Sequence, residues 1–523
     1  MNPLNYFPKH PLVYSLCGLI FTFAIGQLHC SDPYESEGTV GSFRVTFVGA
    51  PALGSASTPL SFSREALNFR INIEALRKDD PNQKDVTFNQ PVAIGIEPSG
   101  KLEEEALSAS LTQGMVENVE VSFRHAFGPV RIIVRDIGYQ PAQVASQAKC
   151  QNGIDDDQDG LIDLIFPDRF GENKTTDRGC YYGNDDSEES GSGAIGVSPP
   201  IFFKNPRIGD VQSLGKNKDE SLLKEERVTI DQGWMVVTRI SVDGMYVTDF
   251  EGVRWDSATQ LFLADQNDTL FYRSIFAFSF NTPKNIQEGE CLVQLDGNIE
   301  EFFGYTEVGK PTWKKGDYDY CMAKARAAGL TGCDANEASS TTDDIRRCFS
   351  YVQNLANTPI DITKILLKEA GSTDEISGWD QRVYATERFE SALVQVSNAE
   401  LFHELSACDR NGNKTIDFSD DAEKTCHNDC SEDVYCAVKE SYDQYNQWTV
   451  SFEDGLGERR ELAVVSAGSI PDFDAKKAFE KAQQEQKPFI ISKLVGTLRH
   501  LAFSRPPWIL EVRRPSDCPE CKN

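Results

Sequence analysis

Between Arg227 and Val308 short apolar runs alternate with turn formers. The stretch opens RVTIDQGWMVVTRISVDGMYVTDFEG (227–252), passes through SIFAFSFN (274–281) and closes with ECLVQLDGNIEEFFGYTEV (290–308). Short runs of β-branched and aromatic residues are split by turn formers at Asp243-Gly244, Asp249 to Gly252, Asn281 to Pro283 and Gly304. Val228, Ile230, Val236, Val237 and Ile240 precede the Asp-Gly pair, and Met245, Tyr246 and Val247 follow it. That is a hairpin pattern, because Asp-Gly accepts the positive φ values of a tight turn. Several short strands joined in this way predict a small closed β-barrel over 226–313.

Working outward, similar pieces recur near the C-terminus: FESALVQVSNAELF (389–402), WTVSFEDG (448–455), RRELAVVSAG (459–468), PFIISKLVGTLRHLAF (488–503) and WILEVRR (508–514). KLVGTLRHLAF and LVQLDGNIEEFFGYTEV each present a strand, a glycine and a bulge-like continuation. The region 389–514 is therefore expected to be a second barrel, a weakly related copy of the first. On the N-terminal side, apolar and polar residues alternate (Phe69, Ile71, Ile73; Val119, Val121, Phe123), as in half-buried antiparallel strands. Regular turns over 42–140 predict a β-sandwich, immunoglobulin-like in architecture only, without the disulfide or buried-Trp signature of an antibody domain.

At 523 residues the chain exceeds what one core fills, and three or four domains are expected. It carries 52 Lys plus Arg against 81 Asp plus Glu, a net charge of −29. Such a chain repels phosphate backbones unless it concentrates a basic face, and it suits cations or basic surfaces. Residues 1–30 form an export signal: Lys9 and His10 precede an apolar run from Leu12 to Gly26, which is short for a membrane span. Two processing routes compete. Ala24-Ile-Gly26 suits cleavage before Gln27; alternatively Gln27-Leu28-His29-Cys30 is a degenerate lipoprotein box, with Cys30 lipidated. Of fourteen cysteines, twelve remain once Cys17 and Cys30 are set aside, and all twelve can pair. This favours the lipid anchor. After export they read as disulfides: Cys150, Cys180, Cys291, Cys321, Cys333, Cys348, Cys408, Cys426, Cys430, Cys436, Cys518 and Cys521.

Two acidic stretches have the spacing of calcium loops. In 150–190, Asp155, Asp157, Asp159, Gly160 and Asp163 follow D-x-D-x-D-G-x-x-D, placing oxygens at alternate positions around a hard cation such as Ca²⁺. Phe166 stands where an EF-hand has its bidentate Glu. The stretch resembles thrombospondin type 3 repeats, and Cys150 with Cys180 would then close the loop; the plain alternative is a solvated acidic linker. Within the second barrel, the insertion 408–436 places Asp409, Asn411, Asn413, Thr415, Asp417 and Asp420 at positions 1, 3, 5, 7, 9 and 12 of an EF-hand-like loop. Its Asp at position 12 resembles the dockerin variant, and Lys414 replaces the usual turn glycine. Zn²⁺ on the bracketing thiols and His427 is the weaker option.

Between the barrels, 314–358 reads as a Cys-rich, partly helical insertion. CMAKARAAGLTGC and DDIRRCFSYVQNLAN favour helix, the second capped at Thr341 to Asp343. Cys321, Cys333 and Cys348 are expected to staple it, with Cys291 as a partner from the barrel and the connectivity open. The terminal Cys518-Pro-Glu-Cys521 reads as a structural disulfide rather than a redox pair, since it lacks a βαβ context.

The run VVTRISVDGMYVTDF, SIFAFSFN and GECLVQLDGNIEEFFGYTEV resembles the OB-fold module found beside secreted bacterial endonucleases. Gly244, Tyr246, Val247 and Asp249 match its first part, and Ile275, Phe276 and Phe278 its second. Gly289, Val293, Gly297, Ile299, Glu301, Phe302, Gly304, Thr306 and Glu307 match its third. The resemblance implies two OB-like barrels, the second weakly, and a kinship with lipid-anchored Gram-negative surface proteins that carry such modules without a nuclease. It implies little about activity, because the chemistry of those relatives lies in a separate domain.

No HExxH, G-x-S-x-G, Walker A or strand-to-helix G-x-G-x-x-G occurs, and His125, His403, His427 and His500 are scattered. Phe302, Phe303 and Tyr305 are interrupted by Glu300, Glu301 and Glu307, and so are expected in barrel core and rim rather than in a base-stacking platform. The fold expected is mainly β and multidomain: an Ig-like β-sandwich and two OB-like β-barrels with disulfide-stapled, partly helical insertions. The expected function is non-enzymatic. It is an exported envelope protein, an outer-membrane lipoprotein facing the periplasm or the surface, stabilised by Ca²⁺ and binding envelope protein or polysaccharide. Extracellular nucleic-acid binding or nuclease-accessory function is the alternative.

Overall fold

In the computed structural model the described residues are 40–104, 106–138, 140, 142, 148–151, 180, 185–186, 191–212, 220–256, 261–264, 272–328, 359–362, 389–402, 442, 446–453, 459–501 and 507–522. The alternating run around Phe69 forms the half-buried antiparallel strands expected of it, within a nine-stranded sheet. Its strands are β1 (Val40–Phe47), β2 (Leu67–Arg77), β3 (Pro91–Glu97), β4 (Lys101–Leu102), β5 (Ser108–Ser110), β6 (Met115–Arg124), β7 (Gly128–Arg135), β8 (Ile195–Val197) and β9 (Ile201–Phe203). They pair in the order β4-β6-β2-β1-β8-β7-β3-β5, with β9 on β7. Phe69, Ile71, Ile73, Val121 and Phe123 point into a core shared with Ile94, Ile132 and Val134. β1 meets β8 in parallel at Phe43 and Gly196. A Cβ on Gly196 would stand 2.5 Å from the Phe43 Cβ, so only glycine allows this approach.

This sheet thus draws on strands at 195–203, and residues 136–194 lie between β7 and β8 in the chain. The base of this segment is clasped. Asp136 accepts the Ser192 N–H at 3.0 Å and the Ser192 hydroxyl. Asp185 accepts the Gln140 N–H at 2.9 Å, and its carbonyl accepts from the Cys150 N–H at 3.1 Å. Cys150 pairs with Cys180, their Cα atoms 5.5 Å apart.

The opening stretch forms β10 (Arg227–Ile230), β11 (Met235–Ile240), β12 (Gly244–Asp249), β13 (Val253–Asp256), β14 (Leu261–Ala264), β15 (Ser274–Phe278), β16 (Cys291–Phe302) and β17 (Tyr305–Lys315). The Asp243-Gly244 hairpin joins β11 to β12. Five strands close into a ring, β11-β12-β15-β17-β16 and back to β11, in which only β15 and β17 run parallel. β10 attaches to β16, and β13 with β14 forms a separate hairpin. Met235, Val237, Met245, Val247, Ile275, Leu292 and Val308 fill this first barrel.

The second β region forms β18 (Ile360–Asp361), β19 (Leu393–Phe402), β20 (Gln447–Glu453), β21 (Arg459–Val465), β22 (Ile490–His500) and β23 (Trp508–Val512). The ring is β19-β20-β21-β23-β22 and back to β19, with β21 and β23 parallel. Numbered by chain order, both rings read 1-2-3-5-4. The five sequence pieces of the second region supply its five ring strands, with Trp448, Val450, Val464, Leu494 and Leu510 in the core.

Helices are few among the described residues. α1 (Ile208–Val211) links the nine-stranded sheet to the first barrel. α2 (Tyr318–Ala327) realises the helix expected at CMAKARA; Asp317 caps it by accepting the Tyr320 N–H at 2.8 Å. Cys321 on α2 pairs with Cys291 on β16. α3 (Ala475–Gln484), capped by Asp474, packs Ala475, Ala478 and Phe479 under the second barrel. The strand reading of that region passes over α3. No helix among the described residues is long and apolar enough to cross a membrane.

Candidate functional site: the junction of the two barrels

Strand alternation sends Met245, Val247, Ile275 and Ala277 into the first barrel, which leaves Tyr246 and Phe276 on its outer face. Outward aromatics on a free barrel would be wet. Here Tyr246, Phe276 and Tyr305 are at most 1% exposed and form their own cluster. The second barrel covers them. Tyr246 and Phe276 have ring centroids 4.7 Å apart, and Phe276 and Tyr305 5.8 Å.

Charged groups complete the junction. Arg499 of β22 lies over both rings, its guanidinium carbon 5.7 Å from the Phe276 centroid and 5.1 Å from that of Tyr305. Ring faces stabilise a desolvated cation, by about 0.5–2 kcal/mol per contact. They stand in here for hydrogen bonds, since the Arg499 Nε is buried without a partner. Arg239 of β11 reaches the other way. Its Nη2 donates to Glu511 Oε1 at 2.5 Å, its Nη1 donates to the Thr497 hydroxyl, and it lies 5.4 Å over the Tyr246 ring. Glu511 Oε2 faces Arg499 Nη1 at 3.7 Å and accepts from the Tyr246 hydroxyl at 3.4 Å. One carboxylate of the second barrel thus bridges an arginine from each barrel.

The edge of the junction is fixed by hydrogen bonds. The Ser391 hydroxyl donates to the Tyr305 oxygen at 3.0 Å, and the Thr306 N–H donates to Glu390 Oε1 at 3.1 Å. His500 Nδ1 lies 2.9 Å from the Gly304 carbonyl oxygen, and the His500 ring stacks on Trp508. Burial, with Glu511 close by, raises the Tyr246 phenol above its usual range, and burial with Tyr246 raises Tyr305 well above it. Glu307, beside Phe276 in the β15–β17 register, is pushed up to about 7 by burial and by Glu300.

A second buried cluster ties the nine-stranded sheet to the first barrel. Phe127, at the β6–β7 turn, packs with Ile208, Val211 and Leu223 into the first barrel's core. Arg64 pairs with Asp210 at 2.6 Å. Asp249, one of the motif residues, accepts from Arg207 Nη2 at 2.7 Å and from the Trp234 and Glu251 N–H groups at 2.9 Å each. Its role here is to hold the linker and its own turn.

The residues singled out in the sequence fall in different places. Cys150–Cys180, Cys291–Cys321 and Cys518–Cys521 are paired. Tyr305 and His500 lie in the junction, whereas Phe302 and Phe303 sit at the β16–β17 tip, 51% and 56% exposed. His125 is buried at the end of β6, where burial and the adjacent Arg124 lower its imidazole to about 4. Outside the described residues lie Cys30, Cys333, Cys348, Cys408, Cys426, Cys430, Cys436, His403, His427 and every expected calcium ligand: Asp155, Asp157, Asp159, Asp163, Asp409, Asn411, Asn413, Thr415, Asp417 and Asp420. Among the described residues no three His, Cys, Asp or Glu side chains gather as a metal site.

Sequence reasoning passed over Arg239, Arg499 and Glu511. The available signal was a charge embedded in an apolar strand (MVVTRI, VGTLRH, WILEV) together with apolar residues on both faces of β12 and β15. A cleft of about 170 Å³ where α2 meets the barrel, lined by Gly289, Cys291, Tyr318 and Met322, is smaller than the ~300–1,000 Å³ usual for substrate pockets. No family model, curated protein or solved structure matches this chain.

Proposed function

We propose that the chain is a non-enzymatic, exported scaffold of the cell envelope, anchored by lipid at Cys30, that presents protein- or polysaccharide-binding surfaces on a rigid body. In this reading the nine-stranded sheet is an Ig-like sandwich and the two barrels are OB-type. The 1-2-3-5-4 ring order, with strands 3 and 5 parallel in each barrel, supports the OB assignment. One observation carries the scaffold reading. The outer aromatics of the first barrel, Tyr246, Phe276 and Tyr305, are spent on holding the second barrel. An OB-type barrel that binds nucleic acid uses the outer face of its second and third strands, here β12 and β15. With that face covered and a net charge of −29, binding of a phosphate backbone is disfavoured.

Calcium belongs to the proposal through the sequence spacing at Asp155 to Asp163 and Asp409 to Asp420, where it would neutralise crowded carboxylates. Two measurements on the full chain test the reading. Single-stranded oligonucleotide is expected not to bind even at low salt; tight binding that weakens steeply with added salt overturns it in favour of the nucleic-acid alternative. A chelator is expected to lower the melting temperature, and unchanged melting with no bound metal removes calcium from the proposal.

A further inference from the structure

Glu307 is the one carboxylate that β17 sets into the covered face. Strand alternation puts it on the same side as Tyr305, register puts it beside Phe276, and it is 7% exposed. Apart from β15, the elements packed around it bring charged or titratable groups. From the first barrel come Glu300, opposite it on β16, Glu301 one residue further on, and Asp243 in the β11–β12 turn. From the second barrel comes Arg499 on β22, which leans on Glu511 of β23. Glu390 meets the neighbouring Thr306 N–H, and His500 meets the Gly304 carbonyl at the same edge. The Arg239–Glu511–Arg499 bridge already uses the second barrel's carboxylate. An ionised Glu307 therefore adds a negative charge beside Glu300 and Asp243, with Glu301 turned to the opposite side of β16 toward Thr306, and is offset by one shared arginine.

We propose that the junction is a pH-responsive joint, in which a proton held on Glu307 favours docking of the second barrel on the first and release of that proton to bulk water loosens it. The inference rests on the scaffold reading and adds regulation to it. The direction follows from linkage. Burial and Glu300 hold the Glu307 carboxyl above its ordinary 4.5, at about 7. A group raised in the folded state contributes stability that is complete below its unfolded value and is lost as pH rises through its folded value. Docking is therefore strongest below about pH 4.5 and is lost progressively as pH rises from there through 7, so it is still stronger at pH 6 than at pH 8.

The experiment compares full-length wild type, Glu307→Gln, Glu307→Asp and His500→Gln by thermal melting and small-angle scattering at pH 6 and pH 8. The wild type is expected to melt lower and scatter as a larger particle at pH 8 than at pH 6. Glu307→Gln should lose both differences, while Glu307→Asp and His500→Gln keep them. A wild-type difference that survives in Glu307→Gln, or that His500→Gln abolishes, overturns the joint. A compact wild type with equal melting at both pH values also overturns the joint and leaves the scaffold standing. Separated barrels at both pH values overturn the scaffold reading itself.

Discussion

The two barrels share a ring and little else. Each closes in the order 1-2-3-5-4 with one parallel pair, and each places a glycine in its fourth strand, Gly297 and Gly496, where a Cβ would strike the fifth. Their connections differ. The first barrel turns from strand 1 to strand 2 through Asp243-Gly244, whereas the second inserts residues 403–446 there. Between strands 3 and 4 the second carries α3, while the first has a loop that plugs its core with Ile286. Their outer faces also differ in kind: the first offers Tyr246, Phe276 and Tyr305, and the second answers with Arg499, Thr497 and Glu511. Closure of the ring depends on strand order and on a few close approaches. Association depends on which residues alternate outward, and here the two copies carry complementary faces.

That division can be broken at its most consequential point first. Glu511→Ala leaves Arg239 and Arg499 without their shared carboxylate. Removal of one partner from a fully buried pair costs about 3–5 kcal/mol, and with the Glu511 and Arg499 side chains each 25% exposed a loss of about 2–3 kcal/mol is expected. Urea unfolding of the full chain should show that loss. Replacing Arg239, Glu511 and Arg499 together with apolar residues of similar size should recover most of it, because the triad's worth lies in its mutual pairing. If the single and triple variants unfold alike, the charges are not what joins the barrels.

Gly297→Ala and Gly496→Ala test the shared ring rather than the junction. The added methyl would stand 2.4 Å from Val308 Cγ1 in one case and 2.6 Å from the Glu511 carbonyl oxygen in the other. Overpacking of this kind costs about 1–3 kcal/mol, and comparable losses at both sites would mark the glycines as equivalent. The smallest effect falls on what is unique to the second barrel. Asp474→Ala removes the cap of α3, worth about 1 kcal/mol. The hydrogen bonds with Lys477 hold the Asp474 carboxyl down at about 2. Its contribution should therefore be present above pH 3.8 and fade as pH falls toward 2, with the variant's acid-unfolding curve converging on that of the wild type.

The strands were legible because alternation and turn residues are local signals: Phe69, Ile71 and Ile73 declare a half-buried strand, and Asp243-Gly244 declares its hairpin. The last strands of the nine-stranded sheet, at 195–203, were obscured by the acidic segment that separates them from β7. α3 was hidden because only Ala475, Ala478 and Phe479 of its ten residues pack on the core. The junction was illegible for a different reason. Arg239 and Glu511 lie 272 positions apart, and no local pattern states that one will meet the other. The outward Tyr246 and Phe276 signal a covered face but do not name its cover.

The clasp at the base of the acidic segment has a consequence for wear. Asp136 with Ser192, Asp185 with Gln140 and the Cys150–Cys180 bridge bind the two ends of the segment to each other and to the nine-stranded sheet. A protease cut anywhere in 151–179 would leave both products covalently joined, and β8 and β9 would stay paired with β7. A molecule cut there runs as one species on a non-reducing gel and reveals the cut only when reduced.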